Sequence, residues 1–315
     1  MDKKIIAIIA IIIVAIIAVG AYFATGDGSS DNVVRIGHLP SDHDTALFVA
    51  EQKKMFEDQG LTVELTQFNN GGDLMTAMAS GDIDVGYAGI TPVMSSIEQG
   101  VPVKVVSGAQ IEGSAIVAGA NSGISSIADL KGKTVATPGE ASIQNMLLTY
   151  ALKENGVSTD DVEFTTMKAA QMTDALKAGQ IDAMIIWEPY SSIAVSSGDG
   201  QLVANTSEIL PGHPCCVVVA REDYINNHAE ALQKVLEAHA NATDFTNENP
   251  AEAAKMLPED IVPDADLQAG VLADTTFVSG LDSDYKQKVM DFMNIEVELG
   301  LLKEPLTEDQ IFADV

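Results

Sequence analysis

With 315 residues and 46% of them hydrophobic, the chain is long enough to build two ordinary cores. Its 46 acidic residues against 17 basic ones give a formal net charge of −29, which excludes the basic footprint that binds nucleic acid or an anionic membrane face. The two cysteines, Cys215 and Cys216, are adjacent and cannot form a disulfide framework, and only Arg35 and Arg221 carry guanidinium groups.

In chain order, Lys3 and Lys4 precede an unbroken apolar run over residues 5–24. At about 1.5 Å per helical residue such a run crosses the roughly 30 Å hydrocarbon core. Residues 1–24 therefore predict a membrane anchor whose lysines hold the N-terminal end in the cytoplasm, leaving the rest outside. A signal peptide cut at Ala18-Val19-Gly20 is the alternative, and the retained anchor is the favoured reading. Residues 25–32, TGDGSSDN, read as a flexible tether.

From residue 33 the pattern alternates. A strand over 33–37, a polar loop over 38–44 and a helix from Thr45 to about Gln59 form the first βα unit. A strand over 61–68 and the loop Asn69-Asn70-Gly71-Gly72-Asp73 follow, with Asp73 as expected N-cap of a helix over 74–80. A third strand, 83–87, leads to Thr91 as expected N-cap and Pro92 at the first helical position. Strands over 101–110 and 115–118 come next, the second a candidate crossing between lobes. The second half restates this order: a strand over 134–137, a helix from Ser142 to about Asn155, a strand over 162–166, a helix over 169–178 and a strand over 183–186. In particular, 173–190 repeats in outline the helix, glycine and strand of 75–89, with Gly179 answering Gly81 and Ile181-Asp182 answering Ile83-Asp84. A strand over 217–220 is a candidate return crossing. Helices over 228–247, 251–257, 265–273 and 284–299 complete the chain and read as packing without chemistry. Alternating strands and helices predict an α/β protein of mostly parallel sheets with helices on both faces. Its ligand then lies outside the carboxyl ends of the strands, where the βα loops gather.

The ordered segments IGHLPSDHDTALFVAEQ, SGDIDVGYAG, GSAIVA, ISSIADLKGKTVATPG and AGQIDAMIIWEPY resemble the substrate-binding proteins of nitrate/sulfonate/taurine-type ABC importers over about residues 33–220. The resemblance implies the two-lobed periplasmic-binding-protein fold of type II, with 33–114 and 215–315 as one lobe and 115–214 as the other. It further implies a ligand cleft between the lobes and delivery of a small molecule to permease and ATPase subunits. The chain is expected to be a monomeric binding protein that needs no cofactor.

The candidate ligand contacts lie on the facing loops: Ser41, Asp42 and His43; Gly72 and Asp73; Gly89, Ile90 and Thr91; Glu140, Ala141 and Ser142; Trp187 and Glu188; and Cys215. Loops at helix N-termini offer free N–H groups and suit an oxyanion in general, and the resemblance implies that Ser142 and the loop over 89–91 hold a sulfonate or nitrate head. Asp42, Asp44, Asp73 and Glu140 on the same loops, with no lysine or arginine, equally suit a neutral or cationic ring stacked on Trp187. Against these stand plainer readings: Asp44 and Asp73 as helix caps, Glu188-Pro189 as a helix start, Trp187 as core or hinge packing. His38, His43, His213, Cys215 and Cys216 are a second constellation, competent for zinc or iron, with pocket lining as its plainer reading. Related fungal enzymes that make the thiamine pyrimidine carry a cysteine-rich motif in the corresponding region, so pyrimidine-precursor binding or a synthase-like activity is the alternative. Neither G-x-S-x-G nor a P-loop lysine occurs in the chain, and the expectation is a binding protein, not an enzyme.

Overall fold

A computed structural model describes residues 32–315. The expected anchor over 1–24 and all of the tether but Asn32 lie outside the described residues. Among the described residues no helix is long and apolar enough to cross a membrane.

Two sheets carry the fold. The first has the order β11-β4-β10-β3-β1-β2, built from β1 (Val33–His38), β2 (Thr62–Gln67), β3 (Val85–Gly89), β4 (Val103–Ile111), β10 (Pro214–Arg221) and β11 (Thr276–Phe277). The second has the order β7-β6-β8-β5-β9, built from β5 (Ser114–Gly119), β6 (Thr134–Thr137), β7 (Glu163–Thr166), β8 (Ala183–Trp187) and β9 (Gly200–Asn205). The parallel pairs are those of the βα units: β1 pairs β2 and β3, and β6 pairs β7 and β8. The segments that pass between the sheets add antiparallel pairs, because β10 returns between β3 and β4 while β5 runs against β8 and β9. Each sheet is therefore mixed.

Apolar side chains explain the layers. Strands covered on both faces have nearly continuous apolar runs, as in Cys215–Ala220 and Ala183–Trp187, all buried. Helices α1 (Thr45–Gln52), α2 (Gly71–Ser80) and α3 (Ile90–Glu98) belong to the first sheet; α4 (Ile143–Glu154), α5 (Ala169–Lys177) and α6 (Tyr190–Ser196) belong to the second. The helix expected from Thr45 to about Gln59 stops at Gln52, since Lys54 is left-handed at φ 59°, and resumes as one turn, Met55–Asp58. After β10 the chain returns to the first sheet, where α7 (Ala229–Glu248) packs on α1 and α9 (Ser283–Glu298) packs on α3 and β10. Between them lies α8 (Ala265–Asp274).

The two echoed units share their detail. Gly81 (φ 84°) and Gly179 (φ 67°) both take the left-handed conformation at the helix end. Asp84 and Asp182 each accept from a neighbouring strand's backbone N–H, of Arg35 at 3.0 Å and of Thr134 at 2.8 Å. The first unit alone adds arginines: Arg35 and Arg221 both bind Asp84, at 2.6 and 3.0 Å. These guanidinium groups hold its carboxyl below the usual range against the opposing effect of burial.

Candidate functional site

The carboxyl ends of β1, β3 and β8 and the start of β10 meet at one cavity between the sheets. On the first-sheet side, Ser41 starts a tight turn. Its Oγ accepts from His43 N at 3.1 Å, and Asp42, His43 and Asp44 are all buried. Asp42 Oδ2 accepts from the Gln268 amide of α8 at 2.6 Å, whereas its Oδ1, 3.8 Å from His43 Nε2, has no hydrogen-bond partner among the described residues; burial raises its carboxyl to about 6. Asp44 Oδ2 accepts from Leu39 N at 2.9 Å, and burial raises that carboxyl to about 7. The His43 ring donates from Nε2 to Gly113 O at 2.7 Å, which leaves Nδ1 facing Cys216 Sγ at 3.5 Å and Cys215 Sγ at 3.6 Å. The hydrogen bond from Cys215 and burial push the Cys216 thiol well up. Burial opposes a charged His43 ring, but Cys216, Asp42 and the Gly113 carbonyl raise it to about 9.

The second-sheet side is built otherwise. Ser142 is the N-cap of α4: its Oγ accepts from Asn145 N at 3.1 Å and donates to Gly139 O at 2.6 Å. One residue into the helix is Ile143, and then Gln144 donates to Ser114 Oγ at 3.0 Å. Trp187, buried at the end of β8, donates from Nε1 to Pro40 O at 3.1 Å. With Asp42 N and Ser41 Oγ both donating to Glu188 O, at 3.3 and 3.4 Å, three direct hydrogen bonds tie the two sides together. The cavity they leave is about 20 Å³, measured as space open to a water's centre, room for about one water molecule.

Of the expected contacts, Ser41, His43, Gly89, Ser142, Trp187 and Cys215 line this cavity. Asp42 lies behind His43, fully buried. Ile90 and Thr91 are turned into the core, where Thr91 Oγ1 donates to Glu296 of α9. Glu140, Ala141 and Asp73 are exposed, outside the lining. Gly72 is half-buried and also outside it, since its neighbour Gly71 takes the wall position. The Glu188 carboxylate turns away to the first turn of α6, which Pro189 precedes as N-cap, accepting from Ser192 N and Oγ, both at 3.0 Å.

The expected caps at Asp73 and Thr91 are corrected, and that at Asp44 holds in position only. Asn70 caps α2, its Oδ1 accepting from Asp73 N at 2.9 Å. Asp44 stands at the N-cap of α1, but its side chain is spent on Leu39 N and makes no cap bond. Gly89, extended at the end of β3, stands at the N-cap of α3, so Thr91 and Pro92 lie inside the first turn. The histidine and cysteine constellation is only partly assembled: His43, Cys215 and Cys216 meet, whereas His38 turns to Leu39 O and His213 to Leu210 O, stacked on Phe292.

A profile of the NMT1-like family matches residues 27–258. The chain belongs to that family. A protein of Bacillus subtilis (strain 168) named for binding aliphatic sulfonates is 27% identical over 305 residues, 93% of this chain and 90% of that protein. The taurine-binding periplasmic protein of Escherichia coli (strain K12) is 28% identical over 237 residues, 72% of this chain and 73% of that protein. Among solved structures, the alkanesulfonate-binding protein of Xanthomonas axonopodis pv. citri, bound to MOPS, superimposes with a TM-score of 0.78 at 22% identity, over 90% of this chain and 99% of that one. The fold of this NMT1-like chain is that of the periplasmic binding proteins.

Sequence reasoning missed Gln268, Gln144 and the buried role of Asp44. The C-terminal helices, expected to be packing alone, supply Gln268 to the site, and Glu296 stands behind it, buried, with its carboxyl raised to about 8. The Gln268 contact spans 226 residues of sequence, so no local signal could find it.

Proposed function

We propose that this chain is the solute-binding component of an ABC importer, working outside the cytoplasmic membrane as a monomer and without catalysis. In this reading residues 33–114 and 215–315 form one lobe, residues 115–214 the other, and permease and ATPase subunits receive the solute. Its N-terminal apolar run would hold it at the membrane. The solute is a small organic sulfonate or a similar oxyanion.

One observation carries the reading: Gly71, Gly89 and Ser142, at the N-termini of three helices from both sheets, line a single cavity. First-turn N–H groups have no partner within the helix, and the positive ends of the dipoles favour an anion. Among the described residues no lysine or arginine lines the cavity, and both arginines are engaged at Asp84, at the far ends of the strands. An oxyanion is therefore held by helix dipoles, first-turn N–H groups and the Ser41 and Ser142 hydroxyls. Asp42 and Asp44, raised to about 6 and about 7, are partly protonated near neutral pH and lower the repulsion. A cavity with room for about one water must widen to admit the solute. Binding then shifts the balance between open and closed forms through contacts on both sides.

The test is titration with taurine, longer alkanesulfonates and nitrate, read by calorimetry and by the fluorescence of Trp187, the chain's single tryptophan. Saturable binding of a sulfonate, accompanied by a change at Trp187, is the expected result. Binding of none of these anions would refute the oxyanion assignment.

A further inference from the structure

Neighbouring residues of a strand point to opposite faces of the sheet. Cys215 and Cys216 do not. The pairing of β10 with β4 slips between Pro214 and Cys216 and again between Cys216 and Val217, and such a bulge re-aims side chains. Both sulfurs consequently reach the cavity wall, 3.9 Å apart, opposite His43 Nδ1 at 3.5 and 3.6 Å.

These separations have a specific meaning. A tetrahedral zinc ion, with Zn–S about 2.3 Å and Zn–N about 2.05 Å, holds two sulfurs about 3.8 Å apart and its nitrogen about 3.6 Å from each. The three donor atoms already stand in that arrangement. The ring is also fixed as a metal-binding imidazole usually is, with its other N–H on a carbonyl: Nε2 donates to Gly113 O at 2.7 Å. All three residues are buried, and all three line the cavity.

We propose that His43, Cys215 and Cys216 form a zinc(II) site in the wall of the cleft, with three protein donors and a fourth position facing the cavity. Nitrogen and sulfur donors exclude magnesium and calcium, which require oxygen. Two thiolates neutralise one zinc(II), so the filled site carries no net charge into a buried place; copper(I) with the same donors would leave one negative charge there. Filling the site displaces to solvent the protons carried on the two sulfurs and on His43 Nδ1 and changes no oxidation state. The open fourth position would supply a Lewis-acidic coordination site to the cavity. The site does not depend on the identity of the solute.

The full chain, purified under reducing conditions and stripped with a chelator, is titrated with zinc(II) against a chromophoric competitor, and separately with cobalt(II). One zinc per chain is expected, together with cobalt spectra showing thiolate charge transfer and tetrahedral ligand-field bands. Each of C215S and C216S should weaken zinc binding by about 100-fold or more, and H213Q, whose ring faces elsewhere, should leave it unchanged. The cobalt spectrum of the unaltered chain keeps the test decisive if the serine variants fold poorly. Absence of zinc binding, cobalt bands without a thiolate component, equal zinc binding by a C215S/C216S chain, or binding of copper(I) alone would overturn the proposal. Each of these readouts is independent of sulfonate binding, so its failure is distinct from failure of the importer reading.

Discussion

The two walls of the cleft are made of different chemistry. The first-sheet wall gathers His43, Asp44, Cys215 and Cys216 at the cavity, with Asp42 and Gln268 behind them. The second-sheet wall presents Ser142, Ile143, Gln144 and Trp187 and no titratable side chain, because Glu188 is turned to Ser192. One wall can therefore change protonation, whereas the other offers a cap, an amide and a ring of fixed state. Under the proposed function, the difference teaches that selectivity and closure need not share residues: tuning would belong to the wall continuous with the C-terminal helices, and clamping to the wall that reaches across to Pro40.

Predictions that break or sharpen this contrast can be ranked by size. Trp187→Ala removes a buried ring and its bond across the cleft, and should lower stability by about 3–5 kcal/mol in urea unfolding. Solute affinity should fall at least about tenfold alongside it. Trp187→Phe should recover most of the stability, and an unchanged affinity in both variants would remove the clamping role. Next, Gln268→Leu strands the Asp42 carboxyl and should cost about 1–3 kcal/mol by the same assay.

A third effect is pH dependence, which separates the walls directly. Asp44 at about 7 and Glu296 at about 8 bind protons more readily folded than unfolded. The unfolded chain then holds fewer protons, so stability falls as pH rises from 6.5 to 8, by about 1 kcal/mol per pH unit. His43, raised to about 9, adds to this fall, whereas His38, His213 and His239, all depressed by burial, oppose it at the low end of the window, where the unfolded imidazoles still take up protons. Melting temperatures across this window should show the slope, and Asp44→Asn and Glu296→Gln should each flatten it. The smallest change is Ser142→Ala, which loses the α4 cap for about 1 kcal/mol and leaves the slope untouched. A slope altered by that variant would mean that the walls are coupled.

Much of the fold was legible because its signals are local. A helix ending at Gly81 or Gly179 and restarting as an apolar strand is written in consecutive residues, and both echoed units formed as read. Loops at strand ends were legible in the same way, which brought Ser41, His43, Gly89, Ser142 and Trp187 to the cavity. What the sequence concealed depends on registry and on distance. The bulge that turns Cys215 and Cys216 to one side has no composition signal, and strand alternation argues against it. Asp44 and Asp73 have good cap chemistry, yet Leu39 N occupies the Asp44 carboxylate and Asn70 takes the capping of α2, through bonds only the folded loop decides. The reach of Gln268 to Asp42 and of Glu296 to Thr91 is set by how α8 and α9 dock.

The link between β4 and β5 is Glu112-Gly113, both at positive φ, 65° and 75°, and the Gly113 carbonyl holds the His43 ring. A methyl group at Gly113 would stand 2.6 Å from His43 Nε2, so this peptide has to pass bare beneath the imidazole. The link between the two sheets and the orientation of the His43 ring are thus one mechanical part. If the proposed lobes part at this peptide, the acceptor that aims Nδ1 at the two sulfurs turns with them, and the grip on the ring is set by the same peptide as the angle between the sheets.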